Sequence, residues 1–223
     1  MVNLLRSDPA LPSPLAVIAL WFATMLLQIP VGFFMQRGNF WSGIFLGQIV
    51  AVATPTLLFL HYGRYRRDAI IPLPALHPMT IVTIALGTMV ITMMSESAAH
   101  LTQRWLHAAP LFEDEFLETI RVHSFAEALY KIPLLALIPA CVEELLFRGV
   151  CQTSFVAAYG VRWGLVLTSA LFALSHANLW YAHLYFALGV YLGVLRQRGR
   201  SLWWPVIAHS VNNAWTLYLK SAL

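Results

Sequence analysis

Three short stretches place polar chemistry inside apolar sequence. ACVEELLFRG (140–149) carries Glu143, Glu144 and Arg148, with apolar runs on both sides. LFALSHANLW carries His176 with Phe172 one turn earlier, and WWPVIAHSVNNAW carries His209 with Asn213 four residues on. A charged residue at the centre of a membrane helix costs roughly 2.5–3.5 kcal/mol on insertion scales, so such residues need a reason. A carboxylate in water-poor surroundings can take a proton from water and later return it. A histidine can help hold that water, and a His/Asn pair offers donors to a developing oxyanion. These are parts for hydrolysis, with Glu143, His176, His209 and Asn213 as the catalytic candidates. Glu143, His176 and His209 also form a two-histidine, one-carboxylate set of the kind that binds zinc. Spacing alone leaves both chemistries open, one without a cofactor and one with a divalent metal.

Helical geometry sorts these groups further. Glu144 and Arg148 stand at i, i+4 with the acid first, the better orientation for an ion pair that braces its own helix. Glu143 lies about 100° around the helix and faces a different neighbour, with no local partner. His209 and Asn213 share a face, whereas Asn212 points elsewhere. Taken singly, each group has a plainer explanation. An intramembrane histidine is more often a helix–helix hydrogen bond than a catalytic group. His183 and Asn178 read as parts of an interfacial turn, and His61, His77, His100, His107 and His123 fall at segment ends or in loops. The coincidence of three polar motifs, in order, carries the functional reading.

The elements that must position them are apolar runs at roughly 15–35, 41–61, 79–95, 127–150, 162–176, 180–195 and 202–219. The chain is 223 residues long, 59% hydrophobic and only 11% charged, against about 25% charged in soluble domains. The fold expected is an all-α, polytopic transmembrane bundle of about seven spans, one integral membrane domain. Within it, residues 1–126 supply N-terminal spans and an acidic connection, and 127–223 form a helical core that holds the motifs. The first run reads as a retained anchor. The net charge of +4 gathers in Arg64, Arg66 and Arg67 and in Arg196, Arg198 and Arg200, as cytoplasmic loops require. That distribution argues against nucleic acid and for a lipid bilayer as the partner surface. It puts the N-terminus in the cytoplasm and residues 96–126, with Glu113, Asp114, Glu115 and Glu118, on the far side as a solvated or interfacial helix. Cys141 and Cys151 read as buried free thiols. One tension remains in this layout. Glu143 and His209 come out roughly 12–14 Å from the cytoplasmic boundary and His176 near 21 Å, at about 1.5 Å per residue.

EELLFR fits EExxxR, FALSH fits FxxxH and HSVNN fits HxxxN. In this order, over roughly residues 127–218, the sequence resembles the CPBP family of intramembrane proteases. That family includes the type II CAAX prenyl endopeptidases and the bacterial abortive-infection proteins. The resemblance implies Glu143 as the catalytic glutamate, His176 as its aid in activating water, and His209 with Asn213 as oxyanion donors. Glu144, Arg148 and Phe172 would support them. The family is described both as metalloprotease and as glutamate-type, so the resemblance leaves zinc undecided.

Other intramembrane proteases fit poorly, because HExxH and GxSG are absent and Asp8, Asp68 and Asp114 are the only aspartates, none in a span. The expected activity is an endopeptidase acting on a membrane-associated protein or peptide, or on a C-terminal tail, in the inner or plasma membrane if the source is bacterial. The rivals are a proton-linked transporter using the same groups as a relay and a noncatalytic membrane scaffold. The transporter would be favoured by broken half-helices or an internal repeat, neither of which is evident.

Overall fold

The computed structural model describes residues 10–109 and 114–222, and every regular element among them is helical. Glu113 lies outside the described residues. Seven long rods follow the seven apolar runs: α1 (Pro14–Gly38), α2 (Phe40–Gly63) and α3 (Pro78–Leu106), then, beyond a short α4 (Asp114–Ile120), α5 (125–159), α6 (161–175), α7 (Ala182–Gly199) and α8 (Trp203–Ala222). On length and composition alone, α1, α2 and α3 are able to cross a membrane. The later rods interrupt their apolar runs with the polar groups described below.

Side-chain distribution is that of helices facing lipid. Leu15, Phe22, Leu57, Leu86 and Met94 point outward, while Thr24, Thr56, Thr88, Thr92 and Thr102 are buried. The buried hydroxyls cost little, because each can donate to a carbonyl on its own helix, as Thr56 does to Val52 O (2.7 Å) and Thr88 to Ile84 O (2.7 Å). The main core joins α1 and α2 to α5 and α6 through Val17, Leu20, Val52, Leu146, Phe147 and Phe172. Cys141 is exposed and only Cys151 is buried, so one of the two thiols faces outward rather than in.

Loop contacts settle which ends lie together. Arg66 N donates to Ala10 O (2.9 Å), Arg196 Nη2 to Ala69 O (2.9 Å) and Leu202 N to Pro72 O (2.8 Å). Both arginine clusters and the start of α1 therefore share one end of the bundle, as the alternation of spans requires. At the other end, Tyr181 OH reaches Ala109 O and Val122 N reaches Ser221 Oγ. The acidic helix α4 is tied there by Lys131, whose Nζ meets Thr119 O, Arg121 O and Glu127. Asp114, Glu115 and Glu118 face out, and Ile120 is buried.

Two features of the backbone were not legible in the apolar pattern. The first is a set of wide, π-type turns at Gly47–Ala53, Pro133–Leu137 and Leu145–Cys151. The first two each end two residues before a proline, Pro55 and Pro139, which has no N–H to donate to the preceding turn. Thr54 N and Ile138 N instead reach back five residues, to Ile49 O and Pro133 O.

The second is the end of the fourth rod. It does not stop near residue 150 but runs on to Tyr159, and the chain reverses at Gly160 (φ 79°, ψ 167°). Val156 lies against Gly164, and the Phe147 and Phe172 rings sit 5.2 Å apart. The first pair is centred on Gly160 and the second between Tyr159 and Gly160, and the second centre also sets Glu143 opposite His176. Each arm is about 25 Å long at 1.5 Å per residue. The apparent mismatch in depth thus came from ending the fourth run too early.

A φ of 79° with ψ near 167° is a conformation open essentially to glycine alone. Gly160→Ala is expected to cost about 1–3 kcal/mol and to lower the melting temperature in detergent. Gly87→Ala, in open space on helix α3, should be neutral or slightly stabilising. Equal melting temperatures for the two variants would refute the hairpin geometry.

Candidate active site

The site is built around a carboxylate that no water reaches. Glu144 and Arg148 both have no exposed side-chain surface, and Arg148 Nη1 donates to Glu144 Oε1 at 2.6 Å. The spacing on one helix made that pair foreseeable. What it did not reveal is that His209 Nδ1 donates to the same oxygen at 2.8 Å. Glu144 therefore does more than brace its own helix; it ties α5 to α8. Arg148 Nη2 continues the network to Gly189 O (3.0 Å), and Gln152 repeats the contact one turn on, to Gly193 O (3.0 Å). Glycine is required at 189, because a Cβ there would stand 2.9 Å from Ser169 Cβ. The guanidinium lies 4.6 Å from the Phe172 ring centroid, a cation–π contact in a desolvated interior.

Phe172 is the hub of the rings. Its centroid stands 4.8 Å from that of His176 and 5.7 Å from that of His209, so the second and third motifs meet across it. His176 follows the last residue of α6, with Nδ1 2.8 Å from Phe172 O. A carbonyl only accepts, so Nδ1 carries the proton, and in the neutral ring Nε2 has the lone pair. Tyr185 of α7 stacks on the imidazole at 3.8 Å and 20°, which fixes the ring plane. Glu143 and His176 are within electrostatic reach of each other. Glu143 itself accepts from Gln48 Nε2 of α2 at 3.3 Å, so the carboxylate without a local partner finds one on another helix.

A cavity of about 280 Å³ opens beside these groups, lined by His176, Tyr185, Asn212 and Asn213 together with Thr92 and Glu96 of α3. Asn212 does not point away from it as the helical wheel suggested. It accepts from Thr92 Oγ1 (3.0 Å) and donates through Nδ2 to Asn213 Oδ1 (3.2 Å). That relay occupies the oxygen of Asn213 and leaves its NH₂ group to donate. His209, only 3% exposed, sits behind this wall rather than on it, held through Nδ1. Glu96 is closed off by Lys220 at 2.6 Å. His183, expected in a turn, stands in the first turn of α7 with Nε2 3.3 Å from Thr102 Oγ1.

Among the described residues, no group of three or more His, Cys, Asp and Glu converges as a cation would require. The donor N–H of Gln48 points at Glu143, and Glu144 already holds one nitrogen of His209.

Of the residues singled out from sequence, Glu144, Arg148, Phe172, His176 and His209 form one contact network, and Asn213 shares the cavity wall with His176. Gln48, Tyr185, Asn212 and Thr92 were missed. Only the adjacent Asn212–Asn213 pair left any trace in the sequence.

Residues 125–215 match the family model described as type II CAAX prenyl endopeptidase, Rce1-like. The match begins at the first residue of α5, where Ser124 caps the helix by accepting from Glu127 N. It ends within α8, so it contains all three motifs and Tyr185 but neither Gln48 nor Thr92. The chain is also similar to YdiL of Bacillus subtilis (strain 168), described as a membrane peptidase, with 22% identity over 107 residues. That alignment covers 46% of this chain and 44% of the relative, so the chain spans less than half the length of the protein it matches. No solved structure matches the chain.

Removing one member of a buried ion pair strands the other. Arg148→Met is expected to destabilise the protein by about 3–5 kcal/mol, read as a loss of resistance to denaturant in mixed micelles. Adding Glu144→Gln should recover much of that loss. A double variant no better than Arg148→Met alone would show that the charge of Glu144 is not what Arg148 offsets.

Proposed function

We propose that the protein is an intramembrane endopeptidase in which Glu143 activates a water for attack on a peptide bond. The observation that carries the reading is the meeting of His176 and Asn213 on one cavity wall, with Glu143 within electrostatic reach of His176. Similarity over residues 125–215 to Rce1-like endopeptidases supports the same class.

In this mechanism the Nε2 lone pair of His176 accepts one hydrogen of the water and Glu143 takes the other as the oxygen attacks the carbonyl. The C–N bond then breaks, and Glu143 returns its proton to the leaving amine. The oxyanion formed in between is held by the NH₂ group of Asn213. His209, held by Glu144 through Nδ1 and set behind the cavity wall beside Phe172, supports this arrangement from α8. Burial around Phe172 keeps the local dielectric low, so each of these interactions counts for more than it would in water. No step passes through a metal.

The substrate is a membrane-associated protein or peptide whose scissile bond enters beside Leu135, Leu184, Leu188 and Leu217, the apolar part of the cavity wall. A C-terminal tail suits such a site, because a chain end threads in without a second strand leaving. Prenylated tails are the substrate named for the matched family, and they belong in the first panel of candidates. In this reading the end bearing both arginine clusters faces the cytoplasm, a reading supported by their charge.

Wild type and Glu143→Gln, purified in detergent, are to be compared on a library of membrane-anchored peptides, with and without prior chelation, with products read by mass spectrometry. The expected result is cleavage by the wild type alone, with a loss of at least about 100-fold in the variant and activity that survives chelation. Cleavage by Glu143→Gln at the wild-type rate would overturn the assignment. Loss of activity on chelation, with recovery on adding zinc, would replace the metal-free route.

A further inference from the structure

Glu143 needs more than proximity to act as a base: one carboxylate oxygen must be held while the other faces the water. No residue of α5 does this. The side chain that does is Gln48, 95 positions away in sequence, with Nε2 3.3 Å from Glu143 Oε1. Its placement depends on backbone geometry. Gln48 lies in the wide turn Gly47–Ala53, where α2 packs against α5. Such turns re-aim side chains within otherwise regular helices and recur at functional sites.

Chemistry fixes the orientation of the amide. Its oxygen facing a carboxylate would be repelled, whereas its NH₂ group is attracted, and Oε1 is buried with no hydrogen-bond partner. An amide left half satisfied in an apolar interior costs stability, so the position is better explained by the carboxylate it serves than by packing. We propose that Gln48 is a positioning residue for the reaction. It anchors Oε1 of Glu143 so that Oε2 is presented toward His176, and it extends the active site beyond residues 125–215 into α2.

This inference rests on the endopeptidase reading, and the test separates the two. The full chain in detergent, its Gln48→Met variant, Glu143→Gln and the double variant are to be examined by infrared difference spectroscopy. The Glu143→Gln spectrum is subtracted to isolate the carbonyl band of protonated Glu143. Methionine keeps the volume of Gln48 and removes the donor. The band is expected to move to higher frequency in Gln48→Met, with the melting temperature unchanged.

On the peptide that wild type cleaves best, kcat should fall at least about tenfold while KM stays within about twofold. In the Glu143→Gln background, Gln48→Met should have no further effect, since the two residues act as one unit. An unmoved band, or equal kcat, with Glu143→Gln inactive would overturn this inference alone. Wild-type cleavage by Glu143→Gln would overturn both.

Discussion

Everything at the centre of this bundle depends on a single carboxylate oxygen. Taking a carboxylate out of water costs several kcal/mol even after relaxation. Glu144 Oε1 offsets that cost with two donors, Arg148 from its own helix and His209 from α8. Arg148 in turn has to be satisfied, which it is by Gly189 O and by the face of Phe172. Each partner constrains another helix. Gly189 must lack a side chain so that α7 can approach, and Phe172 must be aromatic and buried, which brings His176 and His209 to its two sides. A charge placed where it is least tolerated thus specifies the packing of four rods. Apolar contacts alone specify such packing weakly, because lipid tails compete with them on equal terms.

Backbone irregularity does the rest of the positioning. In lipid an unpaired N–H or C=O is expensive, so a helix there can be re-aimed only in ways that keep its bonds. The wide turns at Gly47–Ala53 and Leu145–Cys151 do this by bonding five residues back. They lie where α2 presents Gln48 and where α5 presents Arg148. The reversal at Gly160 folds α6 back along α5, so that motifs 33 positions apart in sequence become level in space.

The site is also larger than the region of recognisable similarity. The matched residues 125–215 run from α5 into α8, yet Thr92 of α3 begins the relay that orients Asn213, and Trp21 Nε1 of α1 donates to Ser175 Oγ (2.8 Å), the residue before His176. The first three helices thus brace the site from outside the matched region.

Sequence alone determined what lies within one helix. The i, i+4 spacing of Glu144 and Arg148 foretold their ion pair, and the 100° offset foretold that Glu143 would face another neighbour. The apolar runs located seven rods, and the arginine clusters located the ends that meet. These are short-range facts, set by a helical repeat that any reader of the chain can apply. The tertiary structure decided what crosses between helices: the bond from His209 to Glu144, the reach of Gln48 to Glu143, the stacking of Tyr185 on His176 and the turn of Asn212 toward the cavity. It also decided the common depth of Glu143 and His176. That depends on where one glycine lets the chain reverse, and the apolar runs on either side of Gly160 carry no mark of it. Lateral contacts depend on how rods are rotated and shifted against one another, and the periodicity of each rod is indifferent to both.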